Sequence, residues 1–118
     1  MIYVSSDAGT SYDAPQHYGV EGILKLTKDQ TQRTIINYSY FQPDGGAQMS
    51  SAPVERVYFV VKGSITIRGK ESSEEKREVY RLGPGDIIYI APGEERELTV
   101  NGRQPAEVLV FVVDVESR

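Results

Sequence analysis

Alternation of apolar and polar residues with a period of two most strongly constrains the fold of this chain. It runs through residues 64–68 and again through residues 97–101, and this period indicates a half-buried β-strand. Residues 34–41 are rich in β-branched and aromatic side chains, whereas residues 57–61 and 108–115 are almost continuously apolar. Such runs are typical of strands covered on both faces. We therefore predict an all-β fold, and no segment has the periodicity of an amphipathic helix.

Turn-forming residues separate these strands at short intervals. Glycine tolerates positive φ and proline fixes φ, so we interpret each Gly/Pro cluster as a turn. The clusters are residues 43–46, Gly69, residues 83–85, residues 92–93 and residues 101–102. The charged residues 70–77 are predicted to form a solvated hairpin loop. Short strands at this spacing indicate one sandwich or barrel domain.

The first 19 residues differ from the rest because they are small, polar and without periodicity. We predict an N-terminal arm over residues 1–19 and a β-barrel domain over residues 20–118. The arm is either disordered or docked on the barrel or on a partner subunit. Its aromatic rings favour docking.

Composition excludes several classes of protein. The chain has no cysteine, so a disulfide framework, a thiolate zinc site and a cysteine nucleophile are all excluded. That composition suits a reducing cytosol, and we expect a cytoplasmic protein. The formal net charge is −4, with acidic and basic residues interspersed, which does not favour nucleic-acid binding. The chain has no apolar run long enough to cross a membrane and does not begin like a signal peptide.

Two segments of the chain resemble the two sequence motifs of the cupin superfamily. Residues 43–66 contain a glycine-rich stretch, an acidic position and an aromatic–aliphatic strand that ends at Gly63. Residues 83–101 contain Gly85-Asp86, an aliphatic strand and a Pro-Gly turn. The resemblance covers about residues 34–115. It implies a small single-domain cupin, a jelly-roll β-barrel.

The positions that hold a metal in many cupins carry other residues in this chain. In those cupins the first motif supplies two histidines and a glutamate, and the second supplies a third histidine. Counting from the motif glycines places these four positions on Ser50, Ala52, Arg56 and Arg96. Alanine has no donor atom, and a guanidinium does not ligate a cation. The resemblance therefore implies a cupin without a metal site, and we expect no cofactor.

Arg56 and Arg96 are the main candidates for ligand binding. Two guanidiniums at former ligand positions would clamp a carboxylate or phosphate in bidentate fashion. Alternatively, nearby glutamates neutralise them, which makes the arginines structural. Tyr58 has the same strand parity as Arg56 and either lines the pocket or packs in the core. The tyrosines at positions 38, 40, 58, 80 and 89 would together suit an aromatic or unsaturated acid.

His17 and Glu55 are the candidates for catalysis. His17 is the one histidine in the chain, and an imidazole above the barrel mouth would act as a general base near neutral pH. A structural or exposed histidine is the alternative. Glu55 is either a catalytic carboxylate or the charge partner of a buried arginine.

These observations support three functions. The first is a metal-independent cupin that binds a small acidic organic molecule in an internal cavity. The second is a cupin-type isomerase, cyclase or lyase that uses acid–base residues without a metal. The third is a regulatory or partner-binding module with no small ligand. We also expect a homodimer, formed through the apolar strand at residues 108–115 or through the N-terminal arm, because pairing removes an unpaired apolar edge.

Overall fold

The computed structural model describes residues 1–70 and 78–115, and that part of the chain is all-β, with no helix. It contains nine strands. They are β1 (Thr10–Tyr12), β2 (His17–Leu26), β3 (Thr34–Ser50), β4 (Val54–Lys62), β5 (Ile65–Gly69), β6 (Val79–Leu82), β7 (Ile87–Ile90), β8 (Arg96–Val100) and β9 (Ala106–Asp114). A search of the described residues for a helix that could span a membrane finds none.

One antiparallel sheet curves into a nearly closed barrel. Its strand order is β6-β5-β8-β3-β9-β4-β7, and β2 pairs with β3 while β1 pairs with β2. The long strand β3 joins the two sides of the barrel, because its first half pairs with β9 and its second half pairs with β8. The jelly-roll cupin barrel predicted from the sequence is thus the observed architecture.

Alternation along each strand determines which side chains fill the barrel. On β4, Arg56, Tyr58 and Val60 are buried, whereas Val57 and Phe59 between them are partly exposed. The buried apolar side chains form one core. They are Phe41, Ala47, Tyr58, Val60, Ile65, Ile67, Leu82, Ile90, Leu98, Ala106 and Val108. Within the described chain, β4 and β9 are therefore covered on one face, not on both.

The structure corrects two expectations about strand organisation. Residues 43–46 do not form a turn but lie inside β3, where glycine allows close approach of β2 instead of chain reversal. Residues 108–115 do not form an edge, because β9 lies between β3 and β4 and pairs with both. Edge-to-edge dimerisation through β9 is therefore excluded.

The N-terminal residues pair with the barrel of their own chain. Strand β1 pairs with β2. Strand β2 begins at His17 and pairs with β3. Of the charged segment predicted to be a hairpin loop, residues 71–77 lie outside the described residues.

Candidate functional site

A cavity of about 110 Å³ opens inside the barrel. Inward-facing residues of β3, β4, β8 and β9 form most of its wall, and Tyr12, Ala14 and His17 contribute from the N-terminal part of the chain. Arg56, Tyr58 and Arg96 all line this cavity. Four of the five candidate residues, including His17, are thus brought together.

Arg96 is held rigidly at the wall of the cavity. It is 4% exposed, and its Nε donates to the Tyr58 hydroxyl at 2.8 Å. Its Nη1 donates to the Gln48 carbonyl at 3.0 Å and to the Ser50 hydroxyl at 3.1 Å. The last contact follows from the sheet register, in which Ser50 lies opposite Arg96.

Arg56 is equally buried but less completely bonded. It is 6% exposed, and its Nη2 donates to the Glu94 carbonyl at 3.1 Å. Its buried Nε finds no acceptor among the described residues. Burial lowers the pKa of Arg56, and Arg96 lowers it further, whereas Tyr58 and the Glu94 carboxylate oppose that effect.

Tyr58 lies beside both arginines. Its hydroxyl oxygen accepts a hydrogen bond from Arg96 Nε at 2.8 Å, and Tyr58 raises the pKa of Arg56. A hydroxyl also has one proton to donate, which is available to a further group. The arrangement presents donors, and an anion is the species that accepts from such a set.

The glutamates near the arginines in sequence are engaged elsewhere. The Glu94 carboxylate accepts from the Ala91 backbone N–H at 2.8 Å. Glu95 pairs with Lys70 at 3.1 Å, and Glu97 lies 4.0 Å from Arg68. Within residues 1–70 and 78–115, no carboxylate forms a salt bridge with Arg56 or Arg96.

The structure places Glu55 away from the cavity. It precedes Arg56 on β4 and therefore lies on the opposite, outer face of the strand, where it pairs in register with Val113. Partial desolvation and then the Glu55 carboxylate raise the pKa of the Tyr89 hydroxyl. Glu55 is thus neither the charge partner of the buried arginines nor a group that reaches a ligand in the barrel.

His17 lies at the edge of the cavity with a defined ring orientation. Its Nδ1 lies 2.8 Å from the Pro15 carbonyl, so Nδ1 carries the proton of the neutral ring and Nε2 keeps a lone pair. Burial lowers the pKa of His17; the bond to Pro15 raises it, and the charges of Arg96 and Arg56 lower it again. His17 is therefore a neutral base at neutral pH.

Sequence reasoning missed three polar residues of the cavity wall and misplaced four tyrosines. Tyr12, Asn37 and Ser39 line the cavity. Of the five tyrosines expected there, Tyr58 alone does so. Tyr38 and Tyr40 stack on each other with ring centroids 4.9 Å apart, and Tyr80 and Tyr89 line a neighbouring cleft of about 280 Å³, whose wall also includes Arg96.

The residues at the four former ligand positions do not fit a transition metal. Arg56 and Arg96 line the cavity, the Ser50 hydroxyl accepts from Arg96, and the Ala52 carbonyl accepts from the Gly93 N–H at 2.9 Å. No group of three or more His, Cys, Asp or Glu residues in the described chain is arranged to hold a metal ion. The donor set instead carries two positive charges, which repel a cation.

Comparison with known proteins agrees with this architecture. Among solved structures, the polyketide cyclase RemF from Streptomyces resistomycificus matches with a TM-score of 0.80 at 17% identity, covering 97% of this chain and 80% of that one. The cupin domain of Drosophila melanogaster CENP-C matches with a TM-score of 0.76 at 18% identity, covering 93% and 76%.

A predicted oxalate decarboxylase from Thermotoga maritima matches with a TM-score of 0.78 at 15% identity, covering 95% of this chain and 98% of that one. Such low identities establish a shared fold and no more. No curated protein sequence matches. The family model for the cupin domain matches residues 37–112, which is more than half of the 118 residues. The chain therefore belongs to the cupin domain family.

Proposed function

We propose that this cupin binds a small carboxylate in its barrel cavity, through Arg56 and Arg96 and without a metal ion. One observation carries the proposal. Two guanidiniums, each less than a tenth exposed, face one cavity without a carboxylate partner in the described residues. We expect this binding to occur in the cytosol.

The energetic argument favours an external anion. Burying a charge is costly unless it is paired, and two like charges in one cavity add repulsion. Carbonyl and hydroxyl oxygens reduce that cost for Arg96, but the Nε of Arg56 remains without an acceptor in the described chain. A ligand carboxylate would offset both charges and accept from Arg56 Nε and the Tyr58 hydroxyl.

The cavity volume limits the size of the ligand. At about 30 Å³ per molecule of liquid water, a cavity of about 110 Å³ holds a few water molecules or a short-chain acid. Engineered cavities that enclose benzene measure about 150 Å³. We therefore propose an acid of a few carbon atoms and not the aromatic acid that the tyrosine content suggests.

Acetate and its neutral isostere acetamide test this proposal. We expect acetate to shift the backbone and arginine Nε–Hε resonances of the cavity in ¹⁵N-labelled protein, and acetamide to leave them unchanged. In Arg56→Met, acetate binding should fall by at least about tenfold, as expected for loss of a charge-assisted hydrogen bond. The variant should unfold at a similar or higher temperature in carboxylate-free buffer, because no described carboxylate loses its partner.

Arg68→Met is the matched control. Arg68 is also on a strand, and its Nη1 donates to Thr99 at 2.9 Å, but it lies outside the cavity wall. This variant should bind acetate like the wild-type protein. Equal binding of acetate and acetamide, or unchanged acetate binding in Arg56→Met, would contradict the proposal.

The position of His17 supports a second candidate function, in which the bound acid is also a substrate. A neutral imidazole beside an anion site is a general base, and one structural neighbour is named as a cyclase. We propose pyruvate as the probe. His17 would remove a methyl proton, and deuterium from solvent would replace it, so ¹H NMR should show methyl exchange that disappears in His17→Gln. No exchange above the buffer rate would count against catalysis of this kind.

We also propose that a second copy of this chain covers the outer face of the barrel. Across strands β2, β3, β9, β4 and β7, the registers align apolar side chains in two rows. The first row is Ile23, Tyr38, Leu109, Phe59 and Ile87, and the second is Ile36, Phe111, Val57 and Tyr89. None of these nine side chains belongs to the buried core.

The size and charge of this outer face favour pairing with itself. Strand spacing of about 4.8 Å and a rise of about 3.3 Å per residue give the two rows a projected area of roughly 300 Å², which is close to the size of the largest, often functional, apolar patch on a typical monomer. The rows contain no charge, so two copies meet without repulsion in an isologous contact. The exposed Met1, Ile2 and Tyr3 extend the apolar area towards the roughly 800 Å² per partner of a stable interface.

A further inference from the structure

Two residues that line the barrel cavity each have a buried polar atom without a hydrogen-bond partner. Arg56 Nε is a buried donor without an acceptor, and Asn37 Oδ1 is a buried acceptor without a donor, as judged over residues 1–70 and 78–115. The two side chains are 6% and 8% exposed, and both line the same cavity. Buried polar groups are normally bonded, so each such atom needs an explanation.

The sheet register places the two residues two strands apart in one sheet. Asn37 on β3 lies opposite Val110 on β9, which lies opposite Tyr58 on β4. Arg56 is the next inward position along β4. With strands about 4.8 Å apart and inward positions about 6.6 Å apart, the two Cα atoms are separated by roughly 12 Å on a flat sheet. Both residues line the same cavity, so a small molecule bound there lies beside both.

We infer that the ligand is a short hydroxy-carboxylate. This inference rests on the proposed function and specifies its ligand. The carboxylate accepts from Arg56 and Arg96, and the hydroxyl donates to Asn37 Oδ1. One molecule then satisfies both unpaired atoms, which a simple carboxylate or a neutral alcohol does not.

The positive charge of the two arginines favours a ligand with a hydroxyl donor over one with an ammonium donor. The residues that line the cavity include two arginines and no aspartate or glutamate. An amino acid would therefore place its ammonium beside two guanidiniums with no negative side chain to balance it. A neutral donor avoids this repulsion.

Four acids with three carbon atoms separate the possibilities. Propionate has no second polar group, lactate carries a hydroxyl, alanine carries an ammonium, and pyruvate carries an acceptor. We expect one enantiomer of lactate to bind roughly 3- to 10-fold more tightly than propionate, the value of one neutral hydrogen bond. Alanine and pyruvate should bind no more tightly than propionate. Titrations followed by NMR measure all four affinities.

Asn37→Leu and Ser39→Ala test which residue causes the preference for lactate over propionate. Leucine is close to asparagine in shape, and replacing an unsatisfied buried amide by an apolar group is not expected to destabilise the fold. In Asn37→Leu, lactate and propionate should bind equally. Ser39 is the next inward position on β3 and lines the same cavity, and Ser39→Ala should retain the preference for lactate.

Each result has a definite meaning. Equal binding of lactate and propionate to the wild-type protein overturns the inference and leaves the carboxylate site intact. A preference for pyruvate, tight binding of alanine, or loss of the lactate preference in Ser39→Ala overturns it as well. If none of the four acids binds, the proposed function fails together with the inference.

Discussion

Arg56 and Arg96 change the charge at the positions where many cupins hold a metal. The cupin backbone makes widely separated strands converge on one point, and in metal-binding members that point is occupied by a cation. Here two guanidiniums and the Tyr58 hydroxyl line one cavity. Hydrogen-bond donors at such a point favour an anion over a cation, which is the basis of the proposed carboxylate site.

His17 reports directly on the charge of the site, because it is the one histidine of the chain. Its pKa is lowered by burial and by the two arginines. A bound carboxylate opposes the effect of the arginines, so we expect the pKa of His17 to rise when acetate is added. A single imidazole resonance, followed against pH by NMR with and without acetate, measures the shift. An unchanged or lower pKa in acetate would contradict binding beside the arginines.

The lowered pKa of His17 makes the stability of the folded chain depend on pH. Because the folded-state pKa lies below the ordinary value of 6.5, the unfolded chain binds a proton at His17 more readily than the folded chain does. The contribution of His17 is therefore fully present above about pH 6.5 and is lost as the pH falls through the lowered folded-state pKa. His17→Gln should reduce the pH dependence of the unfolding free energy in that window.

Strand β2 holds His17 in place through its close approach to β3. A methyl group at Gly45 would collide with backbone atoms of Gly19 and Tyr18, and one at Gly46 would collide with the Leu98 carbonyl. Here His17 pairs in register with Ala47. The glycines thus allow two backbones to pack at a distance that any Cβ would prevent.

Gly45→Ala tests the role of this close approach. We expect a loss of about 1–3 kcal/mol of unfolding free energy, as for other overpacking substitutions, together with a change in the His17 resonance. Gly83→Ala is the control, because a methyl group there meets no atom within 4 Å. Chemical denaturation of the two variants gives the comparison. Equal stability of Gly45→Ala and the wild-type protein would show that β2 adjusts without cost.

The sequence predicted where the strands lie along the chain better than it predicted which strands pair with each other. Alternation located most strands because side-chain period is a local property. The glycines at residues 43–46 predict a turn, because sequence alone does not distinguish glycine needed for chain reversal from glycine needed for close packing. The interior position of β9 depends on pairings with β3 and β4, which are distant in sequence.

The site was predictable where a motif fixed the positions and was not predictable elsewhere. Counting from the motif glycines identified Arg56 and Arg96, and strand parity added Tyr58. Asn37 and Ser39 alternate with Ile36, Tyr38 and Tyr40, so simple polarity would place them outside. In the structure, Asn37 and Ser39 instead point into the barrel, and the apolar side chains between them lie on its surface. This reversed alternation on β3 is a sequence signal for both the cavity and the outer face.

At the scale of the whole molecule, the proposed dimer would explain why β4 and β9 are almost continuously apolar. One face of each strand packs in the barrel, and the described chain covers the other face only in part. The largest apolar patch on a typical monomer has about this size and is often functional. The N-terminal segment reaches the margin of the face, where Val4 borders a depression with Ile36, Tyr38 and Leu109. A second copy would complete the cover.

Phe111→Glu tests whether this face joins two chains. Phe111 lies between Ile36 and Val57 near the middle of the outer face, so a dimer would bury the new carboxylate once in each copy. Burying an unpaired ion costs several kcal/mol, and the two-fold contact doubles that cost. We expect twice the chain mass for the wild-type protein by light scattering, and the mass of one folded chain for the variant.

Val79→Glu provides the matched control, because Val79 is 53% exposed on β6 and β6 is outside the five strands of the outer face. This variant should keep the dimer mass, and circular dichroism should show that both variants remain folded. A wild-type protein that stays monomeric at micromolar concentration would refute the dimer. A Phe111→Glu variant that still dimerises would move the interface away from this face, because a contact centred on Phe111 does not tolerate two unpaired carboxylates at its core.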